Sequence, residues 1–391
     1  MISKDIDKVT EADLQSLIDN AVSEGKEIEY KQSLQISSDG DRKEFLADVS
    51  SFANASGGDL IIGISQKDGN PEALFGIDIS DKDAEIRKLD GIIRDGIEPR
   101  IPSVVIQPIK LANSKVVLVI RIAKSWLSPH RVTLRGYDKF YSRSTNGKYP
   151  LDVSELRVAF SLSEAFADRI RRFREDRISK IYADEMFMPF NGNSKMVLHL
   201  IPFASFKPGE KYEIEKIASQ PRMLPPIYCS GWNSKYNLDG FLTYSGSATE
   251  KSHTYTQLYR NGIIEAVNGS LIREHDKGQL FIPSIAFEKE LIASLKTYLK
   301  LMKDMKIELP IILFLTLVNV KGYSMYVDPW KMNFFHPPAI DREILLLPEV
   351  IIENYDIEAE QILKPCFDAV WNACGFPKSR NYDENGKWVE R

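Results

Sequence analysis

Glu24-Gly25-Lys26-Glu27-Ile28-Glu29-Tyr30-Lys31 opens the stretch that decides the fold, and Phe52-Ala53-Asn54-Ala55-Ser56-Gly57-Gly58-Asp59-Leu60-Ile61-Ile62-Gly63-Ile64 closes it. Glu27 to Leu34 alternates polar and apolar side chains, which predicts a half-buried strand. Between the two pieces, Phe45, Leu46, Val49, Phe52 and Ala53 recur at the spacing of one helix face, starting near Asp39 or Asp41. Gly57-Gly58 stops that helix, because glycine accepts the left-handed backbone of a C-cap, and Leu60 to Ile64 follows as a buried strand.

Working outward, Thr10 and Asp13 form a capping arrangement before a helix carrying Leu14, Leu17, Ile18 and Ala21. Asp68-Gly69-Asn70 reads as a turn. Asp81 to Ile93 reads as a helix, and Ser103 to Ile109 with Val116 to Ile122 as a hairpin around Ala112-Asn113-Ser114. Phe140 to Ser144 is a short strand. A helix from Glu155 and a second, arginine-rich helical stretch from Ser163 to Tyr182 follow, the latter read as a solvated, salt-bridged linker. Met188 to Ser194 is linker-like, and Met196 to Phe203 begins a second half that mixes strands (Gly240 to Tyr244, Ile311 to Val318, Tyr323 to Val327) with helices (Ile285 to Lys303, Glu358 to Ala373). The expected organisation is an α+β domain over residues 1–160, a helical linker over 161–194 and a mixed α/β domain over 195–391.

The 391 residues are 43% hydrophobic and 27% charged, an ordinary globular mix that argues against wholesale disorder. The net charge of −4 rules out a uniformly basic coat for nucleic acid, but its distribution is uneven. Met1 to Ile120 carries 14 Lys/Arg against 22 Asp/Glu, whereas Arg121 to Lys148 carries 7 against Asp138 alone. Such a boundary is what a polyanion-facing edge looks like, and equally what a solvated hairpin looks like. Cys229, Cys366 and Cys374 fit neither a zinc pattern nor a disulfide framework. The N-terminus lacks an apolar signal core, and the longest apolar run, Leu309 to Val318, is too short to span a bilayer. The expectation is a cytoplasmic protein with no membrane partner.

Little else carries readable chemistry. Glu24, Glu27 and Glu29 crowd one segment, and on an extended strand Glu27, Glu29 and Lys31 share a face while Ile28 and Tyr30 point to the core. Clustered carboxylates hold divalent metal ions that activate water, or they simply keep a strand face soluble. The basic segment interleaves its charges with Trp126, Tyr137, Phe140 and Tyr141, which suits phosphates and stacked bases. Its candidate phosphate contacts are Arg131, Arg135, Arg143 and Lys148; the alternative is aromatics turned into the core. His130 lies in this stretch, while the other histidines are scattered. No phosphate-binding loop or dinucleotide fingerprint is present, so no nucleotide cofactor is expected. Trp330 and Phe334 to Pro338 suggest an exposed aromatic contact or a buried loop anchor.

Residues 20 to 160 resemble a Schlafen-type AlbA_2 domain. The features are two glutamates five apart with the second in a Glu-aromatic-Lys step (Glu24; Glu29-Tyr30-Lys31), then Ser51-Phe52-Ala53-Asn54-Ala55-Ser56-Gly57-Gly58 and a strand ending Ile62-Gly63-Ile64. Pro129-His130 and Tyr141-Ser142-Arg143-Ser144 complete the series. The resemblance implies nucleic-acid binding, with RNA favoured over DNA. It also implies a metal-dependent endoribonuclease in which Glu24 and Glu29 hold Mg or Mn. Nuclease-active relatives complete that site with an aspartate where this chain has Ser65-Gln66; Asp68 is the nearest acid and the candidate third catalytic carboxylate. The alternative is a non-catalytic regulatory or defence-system subunit. A homodimer, or a protein partner for the C-terminal domain, is compatible with either.

Overall fold

In the computed structural model the described residues are all except 208, 210, 247–250, 276–277, 327–337 and 391. The chain divides into two compact units, Met1–Ala167 and Asp168–Arg391.

The N-terminal unit runs α1 (Glu11–Asp19), β1 (Ile28–Lys31), α2 (Asp39–Asn54), β2 (Gly57–Ile62), β3 (Ile64–Lys67), β4 (Asn70–Leu74), α3 (Lys82–Gly96), β5 (Ile97–Glu98), β6 (Val104–Lys110), β7 (Val116–Ala123), β8 (Arg131–Val132), β9 (Lys139–Ser144), β10 (Gly147–Pro150) and the start of α4 (Val153–Tyr182). One four-stranded sheet has the order β1-β2-β7-β6, a second has β10-β9-β8-β5, and β3 pairs with β4. β1 runs parallel to β2, with Ile28 opposite Asp59 and Tyr30 opposite Ile61. Every residue of β2 is buried, because both faces of the first sheet are covered. Leu60, Ile62, Leu118, Ile120 and Ile122 face α2 and α3, whereas Ile61, Val117 and Val119 face a second cluster around Leu14 and Tyr30. This period-2 division locks the register, since a one-residue slip would exchange the two cores.

Local chemistry sets the ends of these elements. Ser38 and Asp41 form a reciprocal capping box at the start of α2. The helix ends at Asn54, and the glycine pair opens β2. Gly57 has φ +78°, and a Cβ on Gly58 would lie 2.5 Å from both the Glu27 carbonyl oxygen and the Phe52 ring. The expected β1 is longer than the observed strand, which stops at Lys31.

The C-terminal unit contains β11 (Lys195–Pro202), α5 (Glu215–Ser219), β12 (Asn233–Tyr236), β13 (Gly240–Tyr244), β14 (Thr254–Tyr259), β15 (Ile264–Asn268), β16 (Arg273–His275), β17 (Gln279–Pro283), α6 (Ser284–Asp304), β18 (Ile311–Val318), β19 (Ser324–Tyr326), β20 (Ile344–Leu346), β21 (Val350–Ile352) and α7 (Ala359–Ala373). Its main sheet, eight strands in the order β12-β13-β14-β15-β11-β18-β20 with β21 also on β18, is antiparallel throughout. One face packs Leu198, Ile264 and Leu315 against Phe287, Leu291 and Phe367 of α6 and α7. The other packs Val197, Tyr255 and Val267 against Ile178 and Ile181 of α4. Trp330 and Phe334-Phe335-His336-Pro337 lie outside the described residues. Among the described residues no helix is long and apolar enough to cross a membrane.

The arginine-rich stretch differs from its expected solvated form. It belongs to one helix, Val153–Tyr182, that contains no glycine or proline, and its residues from Ile170 onward cover the sheet. Arg174 is buried over the Phe314 ring, and Arg177 grips the fully buried Glu265 through Nε at 2.7 Å and a second nitrogen at 2.8 Å. Tyr255 donates to the same carboxylate at 2.8 Å, and His199 lies 3.0 Å from it. Burial pushes the Glu265 carboxyl up, but Arg177 and His199 more than offset this and hold its pKa at about 2. A carboxyl whose folded pKa lies below its unfolded value contributes stability above the unfolded value, and that stability is lost as pH falls through the folded one. Arg177→Met is therefore expected to destabilise this unit by about 3–5 kcal/mol at neutral pH. The deficit against the parent, read in urea unfolding, should shrink in acid as the parent loses the pair. Equal urea midpoints at neutral pH would contradict this role.

Candidate nucleic-acid interface

Four elements of the N-terminal unit converge on one charged cluster. β1 supplies Glu29 and Lys31, whose outward face is set by burial of Ile28 and Tyr30. α2 supplies Asp48, only 2% exposed, and Glu44 one turn earlier. β9 supplies Arg143 and β10 supplies Lys148. The Arg143 guanidinium is closed off from solvent, pairs with Glu29, lies 4.0 Å from the centre of the Phe52 ring and donates to Ser51 at 3.3 Å. Lys31 bridges Glu29 at 2.9 Å and Asp48 at 3.6 Å. Lys148 bridges Asp48 at 2.8 Å and Glu44. Burial pushes the Glu29 carboxyl up, yet Arg143 and Lys31 outweigh it and hold its pKa below the ordinary value. Burial dominates at Asp48 and pushes its pKa up despite Lys148 and Lys31.

Glu24 is half-buried beside this cluster. Its carboxylate accepts the Tyr30 N–H at 2.8 Å, and its own N–H donates to the Gly69 carbonyl at 2.6 Å. Burial first, and the charge of Glu29 in addition, push its pKa up, although the Tyr30 hydrogen bond opposes them. Asp68 is exposed on the turn tied to Glu24. Asp68 and Gly69 both have positive φ, as a tight hairpin turn requires, and Gln66 closes the turn by accepting the Gly69 N–H at 2.9 Å. Among the described residues no three His, Cys, Asp or Glu side chains are grouped to hold a metal ion. Glu29 offers one oxygen to Lys31 and the other to Arg143. As placed, the carboxylates do not fit a divalent cation, because ammonium and guanidinium groups already occupy the surrounding positions.

The four candidate phosphate contacts separate. Arg143 is interior, and Lys148 is mostly covered by Glu44 and Asp48. Arg131 and Arg135 are at the surface, Arg131 beside Glu98 at 2.7 Å and Arg135 beside Asp39. Two cations that the sequence reading left aside join Arg135 there: the Lys43 and Lys139 ammonium groups lie 4.9 and 5.5 Å from the centre of the Tyr137 ring. Arg121, also in the basic run, is instead consumed internally by the buried Asp59 at 2.8 Å and by the Ile2 and Lys4 carbonyls.

Asn54 and His130 are structural. The Asn54 amide donates to the His130 and Tyr141 carbonyls, each at 2.8 Å, and accepts the His130 N–H at 2.7 Å. The His130 ring is fully buried with Nδ1 2.6 Å from the Pro99 carbonyl, and burial lowers its pKa to about 4. Asp48 is the residue that sequence reasoning missed. Its signal is position: it lies three residues after Phe45 and four before Phe52, on the core-facing stripe of α2.

Removing Arg143 leaves the half-buried Glu29 with Lys31 alone. Arg143→Met is therefore expected to cost about 3–5 kcal/mol of stability. Thermal unfolding at neutral pH checks it, and an unchanged midpoint would mean that the cluster does not hold the fold.

No curated protein matches the chain. The chain is similar to a solved structure, the DIP2311 protein from Corynebacterium diphtheriae, at 20% identity and a TM-score of 0.25, over 36% of this chain and 26% of that one. The chain thus spans about a quarter of that protein's length. Residues 24–152 match the family described as Schlafen, AlbA_2. The N-terminal unit carries a Schlafen AlbA_2 domain.

Proposed function

We propose that the N-terminal unit binds nucleic acid, RNA by preference, through the surface formed by Arg131, Arg135, Lys139 and Lys43 around Tyr137. The observation that carries this reading is the pair of lysines flanking one aromatic ring on a domain of the Schlafen AlbA_2 type. Ammonium groups meet phosphates while a partly exposed ring stacks a base. The pairs that Arg131 and Arg135 make with Glu98 and Asp39 are surface ion pairs, which cost little to exchange for a phosphate.

The second reading is a metal-dependent endoribonuclease. It is favoured by Glu24, half-buried beside Glu29 and tied to the turn that carries Asp68. For Glu29 to offer an oxygen to Mg or Mn, Lys31 or Arg143 must first withdraw, so the resting arrangement favours binding without cleavage. A non-catalytic regulatory or defence-system subunit, with the C-terminal unit meeting a protein partner or a second copy, accords with that arrangement.

Two measurements test these readings. Lys43→Ala/Arg135→Ala/Lys139→Ala should flatten the dependence of log affinity on log salt for single-stranded RNA by about 2, near 0.7 for each lost phosphate contact. An unchanged slope would sink the surface assignment. Labelled tRNA and single-stranded RNA should bind yet stay intact with Mg²⁺, Mn²⁺ or chelator. Metal-dependent cleavage that Glu24→Gln/Glu29→Gln abolishes would establish the second reading instead.

A further inference from the structure

A cleft of about 370 Å³ opens beside the charged cluster. Its floor is apolar, made by Leu34, Phe45, Leu60 and Ile62, the last three of them buried core residues. Its rim carries Asp41 and Glu44 from α2, the buried Asp48, and Lys31. Lys31 is already committed to Glu29 and Asp48. Asp48 is taken up on both oxygens by Lys31 and Lys148, while Asp41 gives one oxygen to the Ser38 N–H and Glu44 gives one to Lys148; the second oxygens of Asp41 and Glu44 are the rim acceptors left for a neutral ligand that donates N–H groups. The volume lies at the lower end of the range of about 300–1,000 Å³ that holds small organic ligands.

The cleft adjoins the cationic surface. Lys43 precedes Glu44 on α2, and Arg135 pairs with Asp39, next to Gly40 on the cleft wall. Phosphates on the cations would leave a neighbouring base free to turn toward the apolar floor.

We propose that this cleft receives one unpaired nucleobase bearing an exocyclic amino group, which donates to the rim carboxylates, while the adjoining phosphates lie on Lys43, Lys139 and Arg135. Adenine, cytosine and guanine carry that amino group; uracil presents a carbonyl in its place and keeps only its ring N3–H as a donor, with a carbonyl on either side that the carboxylates repel. The inference rests on the nucleic-acid-binding reading and adds the base class to it.

The test uses the full chain with oligoribonucleotides of A, C or U of equal length, read by fluorescence anisotropy. A and C runs are expected to bind about tenfold more tightly than U, the worth of one charge-assisted hydrogen bond. Asp41→Asn/Glu44→Gln should remove most of that preference: affinity for the U run rises modestly as two carboxylates beside the phosphates are neutralised, while the ratio of A to U affinity falls toward one. Hydrogen exchange on the unaltered chain gives an independent readout: residues 31–45 should be protected by the A run and much less by the U run. Equal affinities with no protection of this segment would overturn the cleft assignment and leave the binding surface standing. Failure of every oligonucleotide to bind would overturn both. Protection by free adenosine but by no oligonucleotide would overturn the polynucleotide as occupant.

Discussion

Arg143 reaches from β9 to the Glu29 carboxylate on β1 and lies against the Phe52 ring of α2, so a strand distant in sequence shares its buried charge with two consecutive elements. A guanidinium without access to water is tolerated only when its desolvation is repaid by a carboxylate and by good packing. Glu29 can supply that charge because Lys31 and Arg143 keep it ionised against the effect of its own burial. The position of Glu29 depends in turn on β1 lying parallel to β2, where the buried Ile28 and Tyr30 fix which face it occupies. The orientation of α2, and hence of Asp48 and the cleft wall, follows from the same contact. Asn54 adds a second tie, holding the end of α2 to the chain on either side of β8 through three hydrogen bonds to backbone.

The C-terminal unit solves a similar problem with different geometry. Glu265 sits on the sheet face covered by α4, where Arg177 and Tyr255 satisfy both of its oxygens. On the opposite side Glu288 of α6 gathers the Trp371 and Trp388 indole N–H groups, Ser379 and Asn381, which brings the C-terminal segment onto the helix. Burial pushes the Glu288 carboxyl up even so, because its four partners are neutral donors and none is a cation.

Much of this architecture is legible in the sequence because apolar periodicity is a strong signal. The α2 stripe, the run from Leu60 to Ile64, the Val104–Lys110 and Val116–Ala123 hairpin and the buried Ile311–Val318 strand all follow from it. Charges are harder to place. Arg143 reads as a phosphate contact because it sits in a basic run, yet it lies two residues from Tyr141, whose ring packs on the core, and shares that strand face. Arg121 is deceptive for the same reason, its partner Asp59 lying inside a run that otherwise reads as wholly apolar. Periodicity also gives no account of the break expected between Glu155 and Ser163, since nothing there interrupts a helix. The surface lysines around Tyr137 come from α2 and β9, and only the packing of those elements brings them together.

The inner cluster contains three cations, Lys31, Arg143 and Lys148, and three carboxylates, Glu29, Glu44 and Asp48. Formally it sums to zero, so beyond about one Debye length, ~8 Å at physiological salt, an approaching polyanion hardly senses it. Outside it lie Lys43 and Lys139 beside the Tyr137 ring, and Arg135 paired with Asp39. On the nucleic-acid-binding reading proposed above, folding and long-range attraction fall to separate sets of charges. A lineage can retune the encounter rate by exchanging surface lysines without disturbing the ionic interior, and it can alter the interior only in compensated pairs.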